Sequence, residues 1–150
     1  MDKEFKVKPI GIIKKDEQRT WIEVKKEFQP ALLNLEQFSH LITIWWIEGR
    51  DTEQDRSKLQ VYPSVDGNRT NSPLTGVFAC RAPLRPNPIG FTVVKIIEID
   101  ENKVFIDRTD AFHDTPVIDL KPYIPKSDCI VNAILPDFME PIAHPKKENL

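Results

Sequence analysis

The sequence predicts a mainly β domain, a sandwich or a barrel. Three observations carry that expectation: repeated short runs of β-branched and aromatic residues, one short stretch with helical spacing, and 13 prolines. A Rossmann-type fold would need alternating helices and a glycine fingerprint, and the chain offers neither. At 150 residues and 40% apolar content, one domain with a real core is expected. The net charge of −2 leaves nucleic-acid contact to a local basic patch, not to bulk charge. Two cysteines, Cys80 and Cys129, make no disulfide framework, and the scattered His40, His113 and His144 make a metal site improbable. The charged start MDKEFKVK lacks a signal-peptide core, and the longest apolar run, residues 41–47, is too short for a membrane span. A cytoplasmic protein with no membrane partner is the expectation.

Residues 5–15 read as a first strand bent at Gly11, followed by a polar turn over 16–19. Residues 21–28 are rich in β-formers and read as a second strand. Pro30 suits a first helical turn, and Leu32, Leu35 and Phe38 recur at helical spacing, so residues 30–38 read as a short amphipathic helix. Residues 40–48 compose a buried strand that points Trp45 and Trp46 to opposite faces. Residues 49–71 turn polar and read as a long loop, with a short strand at 59–62. Residues 91–100 and 103–107 form a hairpin across Glu101 and Asn102. Residues 110–115 form a polar loop, and 117–123 alternate with Asp119, Lys121 and Tyr123 on one face. The domain is set at 1–135, with 136–150 as a proline- and lysine-containing tail.

Residues 76–90, GVFACRAPLRPNPIG, form the densest motif. Each proline fixes its own φ and biases the residue before it to an extended shape, so Arg85 and Asn87 are displayed on a stiff loop. Gly90 then permits a turn. The loop suits a preorganised binding site or a plain tie-down. Asn87 and a neighbouring carbonyl could together accept hydrogens from an exocyclic amine. Arg69, Arg81, Arg85 and Lys95 lie in a segment whose one acid is Asp66, and a guanidinium fork suits carboxylate, phosphate or base. Their other reading is as solvated or paired cations. His113 and Asp114 read either as an acid/base pair or as a turn closing a hairpin. Asp119 and Lys121 read as a surface ion pair.

GVFACRAPLRPNPIG, then TPVIDLKPYIP, with LEQFSHL upstream, resembles the TrmO-type (TsaA-like, YaeB-like) family over about residues 9–129. The resemblance implies a single-sheeted β-barrel, usually a homodimer. It also implies S-adenosylmethionine-dependent methylation of threonylcarbamoyladenosine at its exocyclic nitrogen, beside the tRNA anticodon. Carried over, the cofactor pocket uses Gly49, Arg50, Arg85, Ile96 and Phe112, with His113, Asp114 and Thr115. Asn87, His113 and Asp114 are the candidate proton acceptors, and Arg69, Arg81 and Lys121 the RNA contacts. The family's Asp-Gly-Thr-Pro turn falls on His113-Asp114-Thr115-Pro116, where two positions differ. Its Arg-Gln-Pro-Gly loop is replaced by residues 16–20, DEQRT. The rival readings are a same-fold methyltransferase for another RNA or small molecule, and a non-enzymatic RNA- or ligand-binding barrel.

Overall fold

The computed structural model describes residues 2–68 and 72–143. Its strands are β1 (Gly11–Lys15), β2 (Thr20–Val24), β3 (His40–Trp46), β4 (Gln60–Val61), β5 (Thr75–Gly76), β6 (Ile89–Asp100), β7 (Lys103–Ile106) and β8 (Pro116–Pro122). Six of them make one antiparallel sheet in the order β1-β2-β7-β6-β3-β8. The order returns on itself, because Gly11 and Ile12 of β1 pair with Val117 and Pro116 of β8. β4 and β5 pair separately, so the expected single sheet gains a small second one. The core holds Ile13, Ile22, Val24, Leu41, Val94, Val104, Ile106 and Val117, with Trp45, Ile96, Ile99 and Leu120 packed against it.

Two bulges explain where simple alternation fails. In β6, Ile96 pairs with Ile106 but Glu98 pairs with Phe105, so Ile97 is the extra residue and faces out. Ile96 and Ile99 therefore both reach the core. In β8, Ile44 faces Asp119 while Trp45 faces Val117, and Ile118 is skipped. Val117 and Leu120 are the inward residues, not Ile118 and Leu120 as strict alternation implied. Asp119 and Lys121 do pair, at 2.8 Å.

The first strand is shorter than read. It starts at Gly11, and Phe5 and Val7 before it are exposed. Gly11 is demanded by packing, not by a bend: a Cβ there would meet the Glu23 carbonyl oxygen at 2.6 Å. The expected helix at 30–38 is instead two 3-10 segments, Lys26–Leu32 and Leu35–Gln37. Pro30 lies inside the first, and Asn34 between them is left-handed (φ 70°), so no i→i−4 ladder can run through. The second strand consequently stops at Val24. A one-turn helix, α2 (Pro125–Asp128), follows β8, and the described part of the 136–150 segment carries a 3-10 turn, Asp137–Ile142.

Candidate functional site

Antiparallel pairing places three connections at one end of the sheet. They are the β1–β2 turn, the long β3–β6 connection, and the β7–β8 loop. Trp45 at the end of β3 pairs with Gly90 on one side and Val117 on the other. The RPNPIG motif and the His113–Thr115 turn thus flank one strand end. Gly49, Arg50, Arg81, Arg85, Asn87, Phe112, His113, Asp114 and Thr115 all belong to these connections. Arg69 lies outside the described residues. Two site residues lie in strands instead. Lys121 is in β8, and Ile96 is in β6, where its amide donates to the Ser39 carbonyl and its side chain packs on the core. Ile96 pairs with Ile106 at the end of β7, so the stagger of the strands brings it level with the start of the β7–β8 loop.

Gly90 belongs to β6 and makes no turn. A Cβ there would overlap the Trp45 indole, so glycine is required by close approach. Trp45 Nε1 donates to Thr92 Oγ1 at 3.2 Å. The opposite tryptophan, Trp46, donates toward Asp51 at 3.4 Å, and the Arg56 guanidinium lies 5.9 Å from its ring centre.

Arg56 was not singled out by sequence, yet it organises the motif loop. Its Nε donates to the Pro86 carbonyl at 2.7 Å and its Nη2 to Asn87 Oδ1 at 3.1 Å. It ends a one-turn helix, α1 (Glu53–Arg56), whose N-cap Thr52 accepts from the Asp55 amide at 3.2 Å. Thr52 followed three residues later by Asp55 is a capping pattern that could have revealed α1. Asp55 also pairs with Arg50 at 3.6 Å. α1 therefore ties the Gly49–Arg50 corner, where Gly49 has φ 78°, to the RPNP loop. Arg85 closes that loop from within, donating from Nη1 to the carbonyls of Cys80 and Ala82 at 3.2 and 3.1 Å. One of its terminal nitrogens is thus committed to structure. Asn87 Oδ1 and the Pro86 carbonyl, read from sequence as acceptors for an amine, both receive Arg56 instead.

The facing turn is held by β1. Asp114 is left-handed (φ 67°), its amide donates to the Ile13 carbonyl at 2.7 Å, and Thr115 behind it is buried. Lys14 Nζ lies 2.6 Å from Asp114 Oδ1, and His113 Nε2 lies 3.3 Å from the same oxygen. The hydrogen bond from Lys14 holds the Asp114 carboxyl below its ordinary value. His113 Nδ1 accepts the Lys15 amide at 2.9 Å. That bond fixes the tautomer: the proton of the neutral ring sits on Nε2, toward Asp114. Neither ring nitrogen is left as a spare acceptor. Asp114 Oδ2 takes no hydrogen bond among the described residues.

Phe112 stands exposed beside this turn. Arg81 lies over the Phe91 ring at 5.5 Å, and Lys121 is engaged by Asp119, whose hydrogen bond pushes its pKa up. A cavity of about 400 Å³ lies elsewhere on this end, between residues 16–20 and residues 97, 98 and 105–107. Asp16, Glu17, Glu98 and Asp107 line it against one cation, Arg19, a poor setting for phosphate. No helix is long and apolar enough to cross a membrane among the described residues.

Residues 3–129 match the model of the tRNA-methyltransferase O N-terminal domain. A probable S-adenosyl-L-methionine-binding protein of Methanocaldococcus jannaschii is 42% identical over 125 residues, covering 83% of this chain and 97% of that protein. The tRNA (adenine(37)-N6)-methyltransferase of Homo sapiens is 35% identical over 113 residues, covering 75% of this chain and 23% of that one. The crystal structure of TrmO from Pseudomonas aeruginosa superposes with a TM-score of 0.71 at 27% identity, covering 93% of this chain and 63% of that chain. This chain therefore spans under two thirds of the solved TrmO chain.

Proposed function

The chain belongs to the tRNA-methyltransferase O N-terminal domain family, and on that premise we propose that it is an S-adenosylmethionine-dependent methyltransferase of tRNA adenosine. The observation that carries the proposal is the match over residues 3–129, joined to the convergence of its motif loops on one strand end. The acceptor is the exocyclic nitrogen of threonylcarbamoyladenosine beside the anticodon. The ring of six paired strands is a barrel, residues 1–135 are the domain, and 136–150 are a tail.

The donor set suits the cofactor. Arg50 and the uncommitted part of the Arg85 guanidinium suit a carboxylate. Phe112, 82% exposed, offers a face for a purine. Gly49 has open space around its α-carbon. When bound, the cofactor supplies an electrophilic methyl group on a sulfonium. The protein's part is alignment and exclusion of water. The acceptor nitrogen has its lone pair spread into the ring and the carbamoyl group. Its hydrogen becomes strongly acidic only as the N–C bond forms. A carboxylate of low basicity is then sufficient, and Asp114 Oδ2 is the lone-pair site in the facing turn that suits this task. Lys14 balances the charge of that carboxylate, and the neutral His113 orients it. Arg81, Arg69 and Lys121 are the proposed phosphate contacts.

A cytoplasmic homodimer completes the proposal. The exposed apolar row of Ile89, Phe91, Val93 and Ile97 on β6 supports self-association. Purified protein with S-adenosylmethionine and tRNA bearing threonylcarbamoyladenosine tests the activity. A mass gain of one methyl on that nucleoside is expected. Cofactor binding without transfer would leave a methyltransferase of another RNA or small molecule; no cofactor binding would defeat both.

A further inference from the structure

Arg56 fixes which way round the Asn87 carboxamide sits. A guanidinium carries donors only, so the Asn87 atom 3.1 Å from Arg56 Nη2 must be the oxygen. Amide orientation is usually assigned from such a network, and here the network admits one answer. Nδ2 is therefore turned away from Arg56. It has no partner among the described residues, and Asn87 is exposed.

The arrangement is rigid on every side. Pro86 and Pro88 flank the residue, and Pro88 is fully buried. The Asn87 carbonyl accepts from the Ile89 amide at 2.7 Å, and the Pro88 carbonyl from the Ile47 amide at 2.7 Å. Arg56 is in turn held over Trp46 by a capped helical turn. The two oxygens that would receive an amine's hydrogens already accept from one cation, which draws electron density from both.

We propose that Asn87 is a hydrogen-bond donor to bound ligand and that Arg56 is the positioning residue setting its polarity. This rests on the reading of this loop end as the methyltransferase site. The ligand group is an oxygen acceptor, supplied by the carboxylate of the cofactor or by a carbonyl of the modified base. It is not the exocyclic amine.

Asn87→Asp separates the alternatives. It keeps the shape and the contact with Arg56, turns the outward donor into an acceptor and adds a negative charge, so Asn87→Ala, which removes the donor without adding charge, is measured beside it and must show the same loss. Binding of S-adenosylhomocysteine by calorimetry and the KM for tRNA are measured on the same protein, with thermal melting as a check of folding. A donor role predicts a loss of about tenfold or more. If calorimetry shows the loss, the partner is the cofactor carboxylate. If only the KM for tRNA moves, the partner is a base carbonyl. Unchanged or improved values in both would overturn the proposal. Arg56→Ala frees the carboxamide to rotate, so it should shrink the Asn87→Asp penalty. Strictly additive effects would remove Arg56 from its positioning role. If the native protein binds no S-adenosylhomocysteine and methylates no tRNA, the proposed function has failed independently. The polarity is then read by NMR of the free protein: the Asn87 Nδ2 hydrogens should exchange with water freely, and Arg56→Ala should shift the Asn87 Cγ resonance. Protected Nδ2 hydrogens would overturn it.

Discussion

Gly90 shows how a residue can be read correctly as necessary and wrongly as to cause. Proline on both sides of Asn87 suggested a turn, but Gly90 lies in β6 and is glycine because the Trp45 indole occupies the place of a side chain. Gly90→Ala should therefore destabilise by roughly 1–3 kcal/mol, the cost of overpacking, seen as a lower denaturant midpoint with an unchanged m-value. Asp114 carries the matching electrostatic case. Its pKa in the folded chain is lowered, chiefly by Lys14. A carboxyl with a depressed folded pKa adds stability above its unfolded value of about 3.8 and loses it as pH falls through the lower folded value. Asp114→Asn keeps a residue that tolerates left-handed backbone but removes this contribution. The thermal melting difference between native protein and variant should be full above about pH 4 and vanish at lower pH. A difference that persisted into strong acid would show that charge was not its source. Spacing alone revealed the His113-Asp114 pair, but not that Lys14 and Lys15, a hundred residues away, already hold both side chains.

At the scale of elements, strands were legible and their irregularities were not. The runs that became β3, β6, β7 and β8 were visible as β-branched and aromatic stretches, because half-buried pleated surface selects those residues. The bulges at Ile97 and Ile118 left no local signal, since they reflect how long strands coil round a closed order of pairs. The failed helix at 30–38 had a local cause in Asn34, whose left-handed φ is invisible to apolar spacing. α1 is the reverse case: four residues are too few for periodicity, but the Thr52 cap was there to be read. Thr52→Ala should remove that cap at a cost of about 1 kcal/mol. Because α1 carries Arg56, the effect should appear locally first. Hydrogen exchange of the Asp55 and Arg56 amides should quicken before any change in β6. Exchange that quickened uniformly across the sheet would mean that α1 is not a separate latch.

For the whole molecule, charge decides how RNA can be held. The chain is net −2, so attachment to a polyanion depends on a few local cations, and several candidates lie at the loop end of the sheet. Most of these are already engaged: Arg50 with Asp55, Lys14 with Asp114, and Arg56 with the Asn87 loop. Arg85 has one nitrogen committed, and Arg81 lies over Phe91. With the rest of Arg85 assigned to the cofactor carboxylate, Arg81, Arg69 and Lys121 give about three phosphate contacts in the proposed tRNA complex. At 0.7–0.9 released counterions per contact, log affinity should fall against log salt with a slope of roughly −2 to −3. Affinity measured by fluorescence anisotropy should then drop about 15- to 60-fold between 50 and 200 mM salt. Arg81→Ala should flatten the slope by about one contact while leaving S-adenosylhomocysteine affinity alone. A slope steeper than about −6 would require many more cations than this surface supplies. The further phosphate contacts would then have to come from a second protomer, which would tie the salt dependence to the proposed dimer and make it vary with protein concentration.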